Sequence, residues 1–173
     1  LFNAPEDVNI THNTISCPGC GLLVLDPYRA DMAPGAGLVY QDNITHFGAG
    51  VNAQGVPGQV ALDGAWKRIP DRGWVFDHNV MIGPFQQTGI NKPSDYPAGN
   101  FWEETESGVG WTNASAEDYS LLSGSKYKGK GSDGRDPGID AAILKSATSG
   151  TKSGGSPGPQ PAKPSAPTSL RVE

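Results

Sequence analysis

The chain alternates short apolar runs with polar turns, and one such unit occurs three times. VNITHNTI covers residues 8–15, LVYQDNIT covers 38–45 and WVFDHNVMI covers 74–82. Each unit is an alternating apolar run, then His or Asp, then Asn, then a further stretch containing apolar residues. Alternation with a period of two is typical of half-buried strands, so the pattern predicts strand–turn–strand units. The residues predicted to point inward are Val8, Ile10, Ile15, Leu23, Leu25, Leu38, Tyr40, Val75 and Val80.

The asparagines Asn13, Asn43 and Asn79 fall in register when the three units are aligned. Asparagine tolerates the positive φ that a sharp turn requires, and its amide both donates and accepts hydrogen bonds. At the spacing of paired strands, about 4.8 Å, such amides can bond to one another along a stack. The sequence therefore predicts a structural asparagine ladder. Three unrelated turn asparagines are the alternative.

The composition agrees with a domain of short strands and turns. Of 173 residues, 24 are Gly and 15 are Pro, and only 18% are charged. The formal charge of −5 argues against a nucleic-acid surface, and no apolar run reaches the roughly 20 residues of a membrane span. The composition changes to Gly, Ser and Pro near residue 151, which predicts a flexible tail. The predicted division is 1–94 for the repeated units, 95–150 for a closing region and 151–173 for the tail.

Two cysteines, Cys17 and Cys20, lie in SCPGCG. One C-x-x-C motif supplies only two of the four ligands of a structural zinc site. A local disulfide in an exported protein is the favoured interpretation, with two free thiols, a metal site and redox chemistry as alternatives.

The three units, together with DYSLLSGSKYKGKGSDGRDPGID at residues 118–140, resemble right-handed parallel β-helix proteins of the pectate-lyase-like kind. The resemblance covers residues 1–145 and implies an all-β solenoid from the C-terminal portion of a longer repeat protein. It also implies a loop-rich cap containing a short helix over 139–148, followed by the disordered tail. Asp136 or Asp140 would start that helix.

The resemblance implies an extracellular or cell-surface protein that binds or processes a polysaccharide. A lyase of this kind would need clustered Asp ligands for Ca²⁺ and a basic residue, and a hydrolase would need paired carboxylates. No catalytic set is visible in the sequence, so whether the chain is an enzyme stays open. Aromatic faces stack on sugars and guanidinium groups pair with carboxylates. The predicted carbohydrate-binding residues, all in 64–74, are Trp66, Lys67, Arg68, Asp71, Arg72 and Trp74. The alternative is an exposed loop that the two tryptophans anchor.

No cofactor is predicted, with Ca²⁺ as the possible exception. The acidic residues Asp133, Asp136 and Asp140 suggest it, but their spacing differs from that of an EF-hand loop and is explained equally by turns. His12 and His78 occupy the same position in their units, which indicates a structural role at a turn. Asn43 also lies in one of three glycosylation sequons, and a buried ladder amide could not carry a glycan.

A second functional class follows from the edge of the first unit. Strand edges that no neighbour covers recruit partners, so the alternative to a glycan-directed protein is a structural or surface protein. In that interpretation the first unit docks onto another copy of the chain, giving end-to-end oligomers or filaments.

Overall fold

The structure is a computed structural model that describes residues 6–16, 35–46, 62–63, 72–83 and 93–149. Three strand–turn–strand units come first. Their strands are β1 (Asn9–Thr11) and β2 (Thr14–Ile15), β3 (Leu38–Gln41) and β4 (Ile44–His46), and β5 (Trp74–Asp77) and β6 (Val80–Ile82). They are followed by β7 (Phe101–Glu103), β8 (Trp111–Asn113), β9 (Asp118–Leu121) and one helix, α1 (Ala141–Thr148).

The first strands of the units form one parallel sheet and the second strands form another. The first sheet has the order β1-β3-β5, and the second has the order β2-β4-β6-β7. The register matches the sequence alignment of the units, since Ile10 pairs with Tyr40 and Tyr40 pairs with Phe76. β8 and β9 form a separate antiparallel pair.

The two central strands of the second sheet, β4 and β6, are buried on both faces. Met81 faces a cluster shared with the first sheet, in which the Tyr40 and Phe76 rings stack at 5.1 Å. Val80 and Ile82 face the opposite way, into a second cluster with Val109, Leu121 and Tyr127. The described residues therefore form layers: the first sheet, the second sheet, and then residues 104–149, here called the closing segment.

The closing segment contains 3-10 turns, the β8–β9 pair and α1. The helix begins where Asp140 caps it, with Oδ1 accepting from the backbone N–H groups of Ala142 and Ile143 at 3.0 Å each. Asp140 rather than Asp136 is therefore the start signal, as expected for a short acidic side chain at an N-cap.

The predicted fold class, an all-β right-handed parallel β-helix solenoid, is wrong. The described residues form a small mixed α/β domain, with two small parallel sheets, an antiparallel pair and a helix. The reason lies in β4 and β6, whose residues are all buried because the closing segment packs a second core outside them. Val75, predicted inward, is 40% exposed, since Phe76 takes the inward position and side chains alternate.

Candidate functional site

A continuous ladder of asparagine amides joins the turns of the three units. Nδ2 of Asn13 donates to Oδ1 of Asn43, and Nδ2 of Asn43 donates to Oδ1 of Asn79, both at 3.0 Å. A fourth member, Asn100, accepts from Nδ2 of Asn79 at 3.0 Å. Each accepting Oδ1 also receives the backbone N–H of the preceding asparagine. Asn43 and Asn79 are fully buried, and these bonds satisfy their amides.

The residue before each ladder asparagine, rather than the asparagine itself, has the left-handed backbone conformation. The φ angles are 53° at His12, 59° at Asp42, 52° at His78 and 92° at Gly99. The expectation that asparagine supplies the positive φ is therefore corrected. The asparagine follows the bend, and this position directs its amide into the stack.

Asn100 was missed because no alternating apolar run precedes it; that position is held by a 3-10 turn at Pro93–Asp95 and by loop residues. The sequence signal that could have found it is Gly-Asn followed by apolar residues. Glycine is the residue best suited to a left-handed position directly before the ladder residue.

The two ends of the ladder differ. In the interior, Nδ2 also donates to a carbonyl of the preceding unit, from Asn43 to Ile10 and from Asn79 to Tyr40, both at 2.9 Å. Asn13 is exposed, and its Nδ2 instead folds back onto the carbonyl of Thr11 at 3.0 Å. Among the described residues none donates to Oδ1 of Asn13. Within the described part of the chain, Oδ1 of Asn13 is therefore an acceptor available for a further hydrogen bond.

The strands beside Asn13 are also edges. Among the described strands, none pairs with the outer side of β1 or of β2. The carbonyl of Val8 accepts from Val39 at 2.8 Å, so by alternation the N–H and C=O groups of Asn9 and Thr11 face away from β3. We call β1, Asn13 and β2 together the open edge.

The opposite end is covered. Nδ2 of Asn100 donates to the carbonyls of Phe76 at 2.9 Å and Pro97 at 3.0 Å, and the N–H of His78 donates to Gly99. Tyr96 packs against Phe76 with ring centroids 6.3 Å apart. Residues 93–100 therefore close this end of the ladder.

The predicted carbohydrate-binding residues are placed only in part. Arg72 bonds to Asp7 and lies 3.8 Å from Glu6, so its guanidinium group is already paired with carboxylates. Trp74 packs against the core, and its indole N–H donates to Asp63 at 3.0 Å. Trp66, Lys67, Arg68 and Asp71 lie outside the described residues. The two described members thus have structural contacts, and a glycan site here stays a prediction.

A polar cluster forms where the closing segment passes the turns of the first two units. Nε2 of His12 lies 3.6 Å from Oδ2 of Asp42 and 3.3 Å from Oδ2 of Asp133. The buried Asp42 accepts from N and Oγ of Ser132 at 2.7 Å each. Arg135 donates to Asp133 through Nε at 2.5 Å, and its Nη2 lies 3.4 Å from Nε2 of His12. The bonds from Arg135 lower the pKa of Asp133 to about 2.

The three predicted calcium candidates do not converge. Asp136 bonds to Nζ of Lys128 at 2.5 Å and to the N–H of Gly129 at 2.8 Å, while Asp140 caps α1. Only Asp133 joins a potential metal-ligand group, and the other members, His12 and Asp42, were not predicted as ligands. The grouping depends on residues far apart in sequence, which no local spacing indicates.

A second buried carboxylate lies at the end of β7. Glu103 accepts from Tyr127 Oη at 2.9 Å and pairs with Lys126 Nζ at 2.7 Å. Burial alone would raise the pKa of Glu103, but the bonds from Lys126 and Tyr127 outweigh it and the net pKa is lowered. This trio attaches the closing segment to the second sheet.

Two remaining predictions have different outcomes. Cys17 and Cys20 lie outside the described residues, so the disulfide stays a prediction. Asn43 is fully buried with its amide bonded on both sides, so the sequon reading of this residue is incompatible with the fold.

No family model matches the chain, and no curated protein or solved structure matches it either. Within the part of the chain that the structure describes, no helix has the length and apolar composition needed to cross a membrane. The function is therefore inferred from the contacts of the described residues.

Proposed function

We propose that this chain is a structural, self-associating protein whose open edge pairs with the open edge of a second copy. The observation that supports this most is the end of the ladder at Asn13, where Nδ2 turns back to Thr11 and none of the described residues donates to Oδ1. In Asn43 and Asn79 the Nδ2 group instead donates to a backbone carbonyl of the preceding unit. Unpaired strand edges of this kind are templates for adding another chain.

A second copy suits this edge because the edge is self-complementary. A two-fold axis through Asn13 lays β1 of one copy antiparallel to β2 of the other and brings the two Asn13 amides together. Each amide carries a donor and an acceptor, so both can be satisfied across the axis. The opposite end of the ladder is covered by residues 93–100, which favours a closed dimer over a filament.

The expected dimer is weak. A few edge hydrogen bonds contribute about 0.5–1.5 kcal/mol each, and part of this is lost to the cost of association. Each copy carries a formal charge of −5, so long-range repulsion opposes contact. Because salt screens that repulsion, association should strengthen with ionic strength.

The test is sedimentation equilibrium over a wide concentration range, with Asn13→Asp as the perturbing variant. Two carboxylates about 4 Å apart repel by about 1 kcal/mol in water and about 4 kcal/mol near a protein surface. The dimer should therefore weaken by at least about fivefold. Asn113→Asp is the matched control, since it adds the same charge and retains the oxygen that caps a 3-10 turn, and Asn113 is not part of the open edge.

A measurement on the unmodified chain guards against misfolding of the variant. Amide hydrogen exchange at Asn9 and Thr11 should slow as concentration rises, while exchange at Val39 inside the sheet should not change. A chain that stays monomeric at every concentration would refute the proposal. So would a dimer that Asn13→Asp and Asn113→Asp affect equally, because that dimer would use another surface.

A further inference from the structure

We propose that His12, Asp42 and Asp133 form a binding site for a divalent transition-metal ion of the Zn²⁺ type. One ligand atom from each residue lies within 4.8 Å of the others, and Nε2 of His12 faces Oδ2 of both aspartates. Asp42 is 3% exposed, and both of its carboxylate oxygens are held by Ser132. The carboxylate is therefore fixed in place on one side of the site.

The separations fit a small tetrahedral ion. Zinc binds His nitrogen and carboxylate oxygen at about 2.0–2.2 Å, which places neighbouring ligand atoms about 3.3–3.6 Å apart in a tetrahedron. The distances from Nε2 of His12 are 3.3 Å to Asp133 and 3.6 Å to Asp42. These two of the three separations already match those of a tetrahedral site, and the third lies within 4.8 Å.

The ligand types select the class of ion. Calcium requires six to eight oxygen ligands, and an imidazole in the set disfavours it. One imidazole with two carboxylates suits zinc, with water as the fourth ligand. The proposal thus replaces calcium at Asp133, Asp136 and Asp140 with a different ion at a site that shares only Asp133.

Arg135 occupies the position of a competing cation. Its Nε bonds to the carboxylate of Asp133 and its Nη2 lies 3.4 Å from Nε2 of His12, so the guanidinium group lies against two of the three proposed ligands. The Arg135 side chain is 58% exposed and can turn outward into solvent. The ion would then neutralise the pair of carboxylates more completely than the single positive charge does.

The bound ion would join parts of the chain that are distant in sequence. His12 and Asp42 follow β1 and β3, while Asp133 belongs to the closing segment; Arg135, two residues on, is 123 residues from His12. An ion at this point would attach the closing segment to the first two turns. Metal binding would therefore stabilise the folded chain.

The test is isothermal titration of Zn²⁺ into the full chain carrying Cys17→Ser and Cys20→Ser, together with its melting temperature with and without Zn²⁺. His12→Gln is the main variant, and His78→Gln is its matched control. His78 also precedes a ladder asparagine, and its Nδ1 lies 3.3 Å from Asp77, but it belongs to no potential three-ligand group among the described residues.

Zn²⁺ should bind the parent chain and raise its melting temperature. His12→Gln should weaken binding by at least about tenfold, and the His78→Gln affinity should stay within about twofold. Asp133→Asn, an exposed change, should lose binding as well, whereas Arg135→Gln should retain or improve it. Absence of Zn²⁺ binding to the parent chain, or equal binding by His12→Gln, would overturn the proposal.

Discussion

Replacing the central ladder residue, Asn79→Ala, should destabilise the fold far more than the same change at the exposed end, Asn13→Ala. Asn79 is fully buried and its side chain takes part in four hydrogen bonds. Oδ1 accepts from N and Nδ2 of Asn43 at 3.0 Å, while Nδ2 donates to Tyr40 at 2.9 Å and Asn100 at 3.0 Å.

The magnitude follows from what each partner loses. The buried N–H of Asn43 loses its acceptor, which costs about 1–3 kcal/mol, and each of the three other bonds contributes about 0.5–1.5 kcal/mol. The expected loss for Asn79→Ala is therefore about 2.5–7.5 kcal/mol, a large part of the usual stability of a domain. In Asn13→Ala the exposed carbonyl of Thr11 can bond to water, and Oδ1 of Asn43 keeps its bond from the backbone N–H of residue 13, so the loss should be about 1 kcal/mol.

The assay is urea unfolding of both variants and the parent chain, followed by circular dichroism at low protein concentration so that association does not contribute. The free energy of unfolding is obtained by linear extrapolation to zero urea. An unchanged slope of this free energy against urea concentration shows that unfolding exposes the same surface area in each protein. Equal losses for the two variants, or losses below about 1 kcal/mol for both, would refute the view that ladder bonds are worth more when buried.

Two further predictions concern the closing segment. Gly138 has a φ of 82°, and a Cβ there would lie 2.6 Å from Oγ1 of Thr14, so Gly138→Ala should lower the melting temperature, whereas Gly124→Ala, with nothing within 4 Å, should not. Lys126→Met should raise the pKa of Glu103 from its lowered folded value. The stabilising contribution of that carboxylate is complete at neutral pH and is lost as the pH falls below its usual 4.5 through the folded pKa. Acid unfolding followed by circular dichroism should therefore move to higher pH in Lys126→Met, and an unmoved transition would contradict the role of the ion pair.

The register of the parallel strands could be predicted by aligning the asparagines, because each unit has one directly after the bend. The spacings of 30 and 36 residues between these asparagines recur in the hydrogen bonds themselves. The sequence could not show which residue bends the chain, because the bend positions share a backbone conformation while their residue type varies between His, Asp and Gly.

The fold class was missed for a different reason. Apolar residues on both faces of β6 predict a buried strand, but they do not say what covers the outer face. Here Val109, Leu121 and Tyr127 cover it, and all three come from a loop-rich region with little periodicity. The polar cluster at His12 was missed for the same reason, since its members meet only through the tertiary path of the closing segment.

That path has a kinetic consequence. The closing segment contacts the first two units. Ile139 donates its N–H to Oγ1 of Thr14, 125 residues earlier, and Gly138 donates its N–H to the carbonyl of Asp42. Contacts at this separation require a large loop to close, and chains dominated by such contacts fold slowly. During synthesis the groups of the first units that contact the closing segment stay exposed until that segment has left the ribosome. Packing around the first two units is thus finished only when residues 138 and 139 arrive.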